Sequence, residues 1–261
     1  MQIMVVGAAG RMGQEVVKAV TSQPDMTVVA GVDVSAGTGV SGTPILADLE
    51  KALEQYRPDA VVDFTTPEAL PKNLDTYVQH RVRAVIGTTG LDDEDLDVYR
   101  SRCQGHDWAA VIAPNFALGA VLMMRFAAEA AEYFPDAEII EFHHDQKLDA
   151  PSGTAVKTGE MLRQVYAGNE RKPKPEATEK VEGARGGCVG GVRIHSVRLP
   201  GFIAHQEVIF GLAGQTLTIR HDSTHRESFM PGVILALRRL PDLQGIVYGL
   251  ESVLFGEDDH D

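Results

Sequence analysis

The chain has 261 residues, of which 44% are hydrophobic and 23% charged, values typical of a globular protein with one large domain or two smaller ones. Its formal net charge of −13 disfavours nucleic acid as a partner, because phosphate neutralisation requires a clustered basic surface. No apolar run approaches the ~18 residues that a membrane helix needs, and the N-terminus lacks the basic start and cleavage pattern of a signal peptide, so we expect a soluble, cytoplasmic protein without a membrane partner.

The first 115 residues alternate between strand-like and helix-like segments. Short apolar runs predict buried strands at residues 2–7, 26–33, 59–65, 83–90 and 109–115. Helical segments are predicted between them, at residues 10–21, 47–56, 67–80 and 92–103. Strands that alternate with helices at this spacing form a parallel sheet covered on both faces. We therefore predict an α/β protein that begins with a Rossmann-type, doubly wound dinucleotide-binding domain at residues 1–115.

The pattern changes after residue 115. Residues 117–134 predict an unusually apolar helix, which is followed by a strand at 137–144 and a helix at 152–166. The segment 169–191 is rich in Lys, Pro, Glu and Gly and lacks apolar periodicity, so we expect a long, mobile excursion there.

Three strand-like runs follow, at residues 191–199, 204–211 and 215–222. The turns between them, PGF and LAGQ, favour antiparallel neighbours. Residues 116–225 are therefore predicted to form a second, mixed α/β domain. We expect residues 226–261 to return to the first domain.

The turn after the first strand has glycines at the spacing G-x-x-G-x-x-G, at Gly7, Gly10 and Gly13. In a dinucleotide-binding turn, such glycines bend the chain off the strand, admit a pyrophosphate and allow close helix packing. The N-terminus of the following helix adds amide donors and a positive dipole end for the phosphates. The alternative is that the glycines serve chain geometry alone, but Asp33, placed to bind ribose hydroxyls at the end of the second strand, favours the dinucleotide site.

Asp33 also bears on cofactor choice, because a carboxylate at this position repels a 2′-phosphate. The following residues, VSAGTG, offer no arginine that would bind one. We therefore expect NADH to bind at least as well as NADPH. Arg11, which lies in the glycine turn itself, could reach a phosphate and weaken this preference.

The stretch HHDQKLDAPSGTA, residues 143–155, concentrates groups that suit proton transfer and anion binding. Alternation along an extended chain predicts that His143 and Lys147 share one face, and Pro151 is suited to begin a helix. A carboxylate fits the amides and hydroxyls at that helix start, at Ser152, Gly153 and Thr154. Histidine supplies a proton near neutral pH and lysine a positive charge, which together with a dinucleotide domain predicts reduction of an anionic, unsaturated substrate. The alternative is a surface loop with a helix cap.

With these motifs in place, the chain resembles the dihydrodipicolinate reductase family, the 4-hydroxy-tetrahydrodipicolinate reductases of bacterial lysine and diaminopimelate synthesis. The motifs that carry the resemblance occur in family order over most of the chain: GAAGRMG at 7–13, VDFT at 62–65, GTTG at 87–90, APNF at 113–116 and EFHHDQKLDAPSGTA at 141–155. The resemblance implies reduction, by NADH or NADPH, of a cyclic imine dicarboxylate to tetrahydrodipicolinate. It also implies hinge closure of the two domains and a homotetramer assembled through the sheet of the second, substrate-binding domain.

The resemblance also implies roles for individual residues. His143 matches the catalytic proton donor or acceptor and Lys147 the second proton donor, while His144, with Gly153 and Thr154, matches the substrate carboxylate contacts. The residues that match the cofactor contacts are Gly7, Ala8, Ala9, Gly10, Arg11, Met12, Asp33, Gly87, Thr88, Thr89, Ala113, Pro114, Asn115 and Phe116. Ala117 stands where many relatives have serine, so one potential hydroxyl contact to the cofactor is missing.

Two other functions remain open at this point: an amino acid dehydrogenase of the same fold, and a non-enzymatic dinucleotide sensor. The first fits poorly with the HH…K…PSGT motif, and the second leaves Lys147 unexplained. No metal site is predicted, because the two cysteines do not form a CxxC pair and His221 and His225 lack a carboxylate ligand pattern such as HExxH. Asp63, at the end of a strand, is predicted to have a structural role.

Overall fold

The computed structural model of the chain describes residues 1–103, 105, 107–167 and 178–256. Residues 168–177, which include the first nine residues of the predicted mobile excursion, and 257–261 lie outside this description. The described part of the excursion contains a short strand, Gly187–Val189, that was not predicted. The chain divides into two compact units, Met1–Ala117 together with Arg226–Asp261, and Leu118–His225.

In chain order, the strands are β1 (Gln2–Val6), β2 (Thr27–Val32), β3 (Gly37–Thr38), β4 (Pro44–Leu46), β5 (Ala60–Asp63), β6 (Arg83–Ile86), β7 (Ala109–Ile112), β8 (Asp136–His143), β9 (Gly187–Val189), β10 (Val192–Arg198), β11 (Ala204–Leu212), β12 (Gln215–Ser223) and β13 (Gly245–Tyr248). The α-helices are α1 (Arg11–Thr21), α2 (Leu49–Tyr56), α3 (Leu70–His80), α4 (Asp93–Cys103), α5 (Leu118–Ala131), α6 (Gly153–Ala167), α7 (Met230–Arg239) and α8 (Leu250–Phe255). Short 3₁₀ helices occur at Val40–Gly42, Arg226–Phe229 and Leu240–Asp242. Among the described residues, no helix is both long and apolar enough to cross a membrane.

The first unit contains a sheet with the strand order β13-β7-β6-β5-β1-β2-β4-β3. Neighbouring strands are parallel except for β3, which is antiparallel to β4. The order runs outward from β1 in both directions, which is the doubly wound arrangement, and the predicted Rossmann-type fold class is confirmed. β3 and β4 were not predicted, because runs of two and three residues give no periodic signal.

The central strands β1, β5, β6 and β7 of this sheet are largely buried, which explains why they read as apolar runs. In β1 the four residues Ile3, Met4, Val5 and Val6 are all buried, and every residue of β5 and β7 is buried as well. α1 presents Val16, Val17 and Val20 to the core, as its spacing predicts.

The second unit contains a mixed sheet with the strand order β12-β11-β8-β10-β9. β8 is parallel to β10 and antiparallel to β11, so β8 lies between them. The prediction that the β10 and β11 runs are direct neighbours is therefore wrong, whereas β11 and β12 do form the predicted antiparallel pair. Five residues, 199–203, connect β10 to β11. A connection of this length can span the ~10 Å across one intervening strand.

Burial alternates along β8, as expected for a strand with one covered face. Ala137, Ile139 and Glu141 are buried, and the first two pack in the core that α5 and α6 form with the sheet. The residues between them, such as Glu138 and Ile140, are partly exposed.

Candidate active site

Two of the three glycines after β1 are required by the backbone itself. Gly7 has a φ of +81°, and a Cβ atom there would lie 2.4 Å from the carbonyl oxygen of Phe64. A Cβ atom on Gly13 would lie 2.0 Å from the carbonyl oxygen of Gly7. Gly10 is exposed and less crowded, with 3.1 Å to that oxygen. Gly7 and Gly13 therefore fix the turn, and Gly10 is the glycine that leaves its surface open to a ligand.

Most amides of the turn are already used within the unit. The N–H groups of Gly7 and Ala8 both donate to the carbonyl oxygen of Val32, at 2.8 and 3.1 Å, and that of Gly10 donates to Gly7 at 3.0 Å. α1 begins at Arg11, and the first-turn amides of a helix have no acceptor within it. The donors available to an anion are therefore those of the helix N-terminus rather than those of the loop.

Asp33 supports this turn from the end of β2. Its Oδ2 accepts a hydrogen bond from the Ala9 N–H at 2.8 Å, and its Oδ1 accepts one from the Val34 N–H at 2.8 Å. Sequence reasoning gave Asp33 a ligand contact and missed this second role. The ribose contact stays a prediction.

The predicted cofactor residues follow the carboxyl ends of parallel strands, where ligands of doubly wound sheets bind. A cleft of about 790 Å³ opens at this edge of the sheet, and its lining includes Gly7, Ala9, Gly10, Asp33, Phe64 and Thr65. Four other predicted contacts are buried: Ala8, Thr88, Ala113 and Phe116. The rest are partly or fully exposed: Arg11, Met12, Gly87, Thr89, Pro114 and Asn115.

Phe64 connects several of these loops, and sequence reasoning gave it no role. A Cβ atom on Gly87 would lie 2.0 Å from the Phe64 ring, so the two segments touch. The ring also packs against Phe116, with centroids 5.9 Å apart. The only sequence signal was the VDFT motif, which does not reveal where its phenylalanine packs.

Asp63 has the predicted structural role. Its side chain is fully buried and accepts hydrogen bonds from Tyr77 Oη at 2.7 Å, Thr65 N–H at 2.9 Å and Thr88 Oγ1 at 3.2 Å. Burial, followed by the nearby carboxylate, raises the pKa of Tyr77 well above its usual value. The hydroxyl of Thr88 is thereby used inside the unit, so only other atoms of this residue can meet the cofactor as predicted.

In the second unit, His143 ends β8 and Glu141 precedes it on the same face of the strand. Glu141 is fully buried, and its Oε2 lies 2.5 Å from Nδ1 of His143. Arg198 on the neighbouring strand β10 binds both oxygens of Glu141, with Nη1 to Oε2 at 2.9 Å and Nη2 to Oε1 at 2.8 Å. Sequence reasoning missed both Glu141 and Arg198.

Burial by itself would raise the pKa of Glu141, but hydrogen bonds from His143, Arg198 and Ser196 lower it to about 2. Glu141 is therefore a carboxylate near neutral pH and can only accept hydrogen bonds. It follows that Nδ1 of His143 carries the hydrogen of this contact. Nε2 is then the ring nitrogen that can exchange a proton with a ligand.

Lys147 lies in the turn after β8, where its N–H donates to the carbonyl oxygen of His144 at 3.2 Å. The prediction that His143 and Lys147 share a face of one extended segment is wrong, because the strand ends at His143. Lys147 Nζ instead pairs with both carboxylate oxygens of Asp149, at 2.7 and 2.8 Å. This pairing lowers the pKa of Asp149.

The helix start after this turn also differs from the prediction. α6 begins at Gly153, so Pro151 is not its first residue. Ser152 is buried and its Oγ accepts a hydrogen bond from the Ala155 N–H at 3.3 Å, while its own N–H donates to Glu141 at 3.4 Å. Ser152 is thus the helix cap. Its hydroxyl still has a hydrogen to donate, and its substrate contact stays a prediction. Gly153 is exposed, with nothing within 4 Å of the place of a Cβ atom.

Of the two histidines considered as metal ligands, His225 is exposed and His221 is partly buried. A Cβ atom on Gly119 would lie 2.4 Å from the ring of His221, so this ring packs closely on α5. Burial lowers the pKa of His221. In the part of the chain that the structure describes, no group of three or more His, Cys, Asp and Glu is placed to hold a metal ion.

The state of Glu141 leads to a prediction for acid stability. Its pKa is lower in the folded chain, at about 2, than the ordinary value of 4.5, so folding releases a proton between these pH values. The stabilisation is complete above about pH 4.5 and is lost as the pH falls towards 2, by roughly 3 kcal/mol in all. We expect the free energy of unfolding, measured in urea, to fall more steeply below pH 4.5 for the wild type than for Glu141→Gln. Equal slopes would contradict the prediction.

The sequence of the chain matches those of known proteins over both units. The family model for the N-terminus of dihydrodipicolinate reductase matches residues 1–116, and the model for its C-terminus matches residues 119–254. The 4-hydroxy-tetrahydrodipicolinate reductase of Listeria monocytogenes serotype 4b is 51% identical, with 97% of this chain and 100% of the relative covered. That of Moorella thermoacetica is 50% identical, with 97% of each covered.

A solved structure agrees over nearly the whole chain. The dipicolinate-bound dihydrodipicolinate reductase from Paenisporosarcina sp. TG-14 superposes with a TM-score of 0.88 at 43% identity, covering 97% of this chain and 98% of that one. The sequence and structural matches include both units. This chain therefore belongs to the dihydrodipicolinate reductase family.

Proposed function

We propose that this chain is a 4-hydroxy-tetrahydrodipicolinate reductase that uses a nicotinamide dinucleotide, with the first unit binding the cofactor and the second the substrate. The observation that carries the proposal is the Glu141–His143 pair at the end of β8, followed by Lys147 and the start of α6 at Gly153. A histidine, a lysine and the N-terminus of a helix thus lie within one short segment, which supports proton transfer to an anionic substrate. The family match supports this reaction, and it gives no support to an amino acid dehydrogenase or a non-enzymatic sensor.

The first unit fits a dinucleotide. The exposed Gly10 leaves room at the helix N-terminus for a pyrophosphate, and the adjoining cleft of about 790 Å³ contains Asp33 at the far side of the turn. When bound, the nicotinamide supplies the hydride. The role of the chain is to hold the phosphates at the start of α1 and the ribose near Asp33.

The second unit fits a substrate with carboxylates, as in the relative that binds dipicolinate. Gly153 and Thr154 open α6, so their amides and the helix dipole favour an anion. His144 lies partly exposed beside the same turn. We assign these three residues to the substrate carboxylates.

His143 is the proton carrier in this proposal. As electron density moves onto the conjugated ring of the substrate, a proton from Nε2 neutralises it, while Glu141 holds Nδ1. Lys147 opposes the negative charge that develops and serves as second proton donor. To do so its ammonium has to shift from Asp149 towards the substrate, which is feasible because both side chains reach solvent.

The proposed reaction is tested by oxidation of reduced nicotinamide, followed by absorbance, with substrate generated in situ from pyruvate and aspartate semialdehyde by the preceding synthase. Turnover that depends on the synthase product supports the proposal. Cofactor binding without turnover would instead support the sensor alternative.

The cofactor preference gives a second prediction. We expect kcat/KM with NADH to be at least equal to that with NADPH, because the Asp33 carboxylate repels a 2′-phosphate. Asp33→Asn keeps an oxygen for the Ala9 N–H but removes the charge, so it should raise the NADPH to NADH ratio of kcat/KM by roughly tenfold, about 1.4 kcal/mol. A large NADPH preference of the wild type would overturn this assignment.

The assembly and compartment belong to the same proposal. We propose a cytoplasmic homotetramer assembled through the sheet of the second unit, whose side away from α5 and α6 presents partly exposed Ile140 and Phe142. β12 is an edge strand of this sheet. Size-exclusion chromatography with light scattering tests the tetramer directly.

A further inference from the structure

Two charged residues of the second unit, Glu141 and Arg198, have no contact with substrate in the proposed reaction. Glu141 binds His143 directly, whereas Arg198 binds Glu141 and the carbonyl oxygen of Asp149, whose side chain pairs with Lys147. We infer that they are positioning residues, with Glu141 fixing the tautomer of His143 and Arg198 tying the Lys147 turn to the same point. The inference rests on the proposed roles of His143 and Lys147. It adds to that proposal the groups that hold those two residues in place.

The first step concerns the imidazole. A neutral histidine can carry its proton on either nitrogen, and which nitrogen is chosen depends on the partner of the other one. Glu141 is a buried carboxylate and cannot donate, so its contact at 2.5 Å requires the hydrogen on Nδ1 of His143. When the protonated ring gives up its Nε2 proton, it is left in the tautomer that Glu141 already binds. Proton transfer therefore needs no rotation of the ring.

The second step concerns the carboxylate itself. Glu141 has no exposure to solvent, and an uncompensated charge there would be strongly destabilising. Arg198 compensates it with two hydrogen bonds, at 2.8 and 2.9 Å, in the bidentate geometry that suits a guanidinium and a carboxylate. The parallel pairing of β8 and β10 places Arg198 opposite His143, so the sheet register fixes this contact.

The third step links the lysine. Nη2 of Arg198 also donates to the carbonyl oxygen of Asp149 at 2.7 Å, and the Asp149 side chain holds Lys147 Nζ. One guanidinium thus connects the carboxylate that orients His143 with the turn that carries Lys147. The imidazole of His143 and the backbone of the Lys147 turn are therefore both tied to the end of β8, while the Lys147 ammonium stays able to move from Asp149.

The test uses Glu141→Gln, which keeps the shape of the side chain and removes the charge. Its matched control is Glu138→Gln, on the same strand but on the other face of the sheet. Glu138 also binds a histidine and an arginine: His195, at 2.8 Å, and Arg185. Long-range ¹H–¹⁵N spectra of the histidine-labelled protein, at a pH where the rings are neutral, report the tautomer. The His143 signals are identified by their loss in His143→Ala.

We expect the Nδ1–H tautomer of His143 in the wild type and in Glu138→Gln, and a shift towards Nε2–H in Glu141→Gln. We also expect kcat to fall roughly 10- to 100-fold in Glu141→Gln, with KM for the cofactor unchanged. Because Glu141 acts through His143, adding Glu141→Gln to His143→Ala should lower kcat no further. A lysine at position 198 cannot bind both Glu141 and Asp149 as the guanidinium does. The kcat of Arg198→Lys should therefore lie between that of the wild type and that of Glu141→Gln.

An Nε2–H tautomer in the wild type would overturn the inference, even if Glu141→Gln does not fold. Additive losses of kcat in the double variant would overturn it as well. Failure of the proposed function can be distinguished from failure of this inference, because the tautomer of His143 can be measured even if the wild type shows no turnover.

Discussion

His143→Ala should lower kcat by roughly 10² to 10⁴, the usual contribution of a general acid, while leaving the affinity for reduced nicotinamide within about twofold of wild type. The side chain lies in the second unit at the end of β8, and the proposed cofactor contacts lie in the first. Removing the imidazole takes away the proton and leaves Glu141 with the two hydrogen bonds from Arg198, so the local charge stays compensated. The measurement is steady-state turnover, with cofactor affinity from fluorescence titration.

His144→Ala is the matched control, since it removes the neighbouring imidazole of the same pair. If His144 contacts a substrate carboxylate, KM for the substrate rises and kcat changes much less. A reversed outcome, with kcat controlled by His144, would mean that the proton donor has been assigned to the wrong histidine. An unchanged kcat in His143→Ala would remove His143 from the mechanism altogether.

Gly13→Ala should destabilise the first unit by roughly 3 kcal/mol or more and weaken dinucleotide binding at least tenfold. The added methyl group would lie 2.0 Å from the carbonyl oxygen of Gly7 and 2.8 Å from Cα of Ala8. Both are backbone atoms, so no side-chain rotation relieves the overlap. Either α1 moves away from β1 or the turn opens, and each displaces the phosphate-binding amides.

Unfolding is followed through Trp108, the single tryptophan of the chain, which is buried in the first unit. The control is Gly37→Ala in β3, where a Cβ atom meets nothing within 4 Å. It should change the free energy of unfolding by less than about 1 kcal/mol. If Gly13→Ala unfolds at the same urea concentration as this control, the close packing of α1 against the turn is not what holds the unit together.

The first unit could be predicted well from the sequence because its signals are local. β5 and β7 are buried along their whole length and β1 from Ile3 onwards, so each appears as an apolar run, and the turn glycines follow β1 at a recognisable spacing. The same local signals predicted the end of β8 and the start of α6 to within one residue. The very short β3 and β4 lacked such a signal.

The groups that support the candidate site could not be predicted, because they depend on pairing between distant strands. Arg198 reaches Glu141 only because β8 inserts between β10 and β11, and no local pattern reveals this order. The use of the Gly7 and Ala8 amides by Val32 depends likewise on the register of β1 and β2. Glu141 did carry a signal, since a residue two positions before His143 lies on the same face of a strand.

The first unit is assembled from both ends of the chain, and this affects how it is made on the ribosome. β7 pairs with β13, so the β7 edge of the sheet has no partner until residues 245–248 have been synthesised. At ~5 to 20 residues per second, the roughly 130 residues between β7 and β13 take about 7 to 26 s. During that interval a nascent chain presents an open, apolar strand edge that can pair with another chain. Shielding of this edge by chaperones is therefore expected to matter most before the last strand emerges.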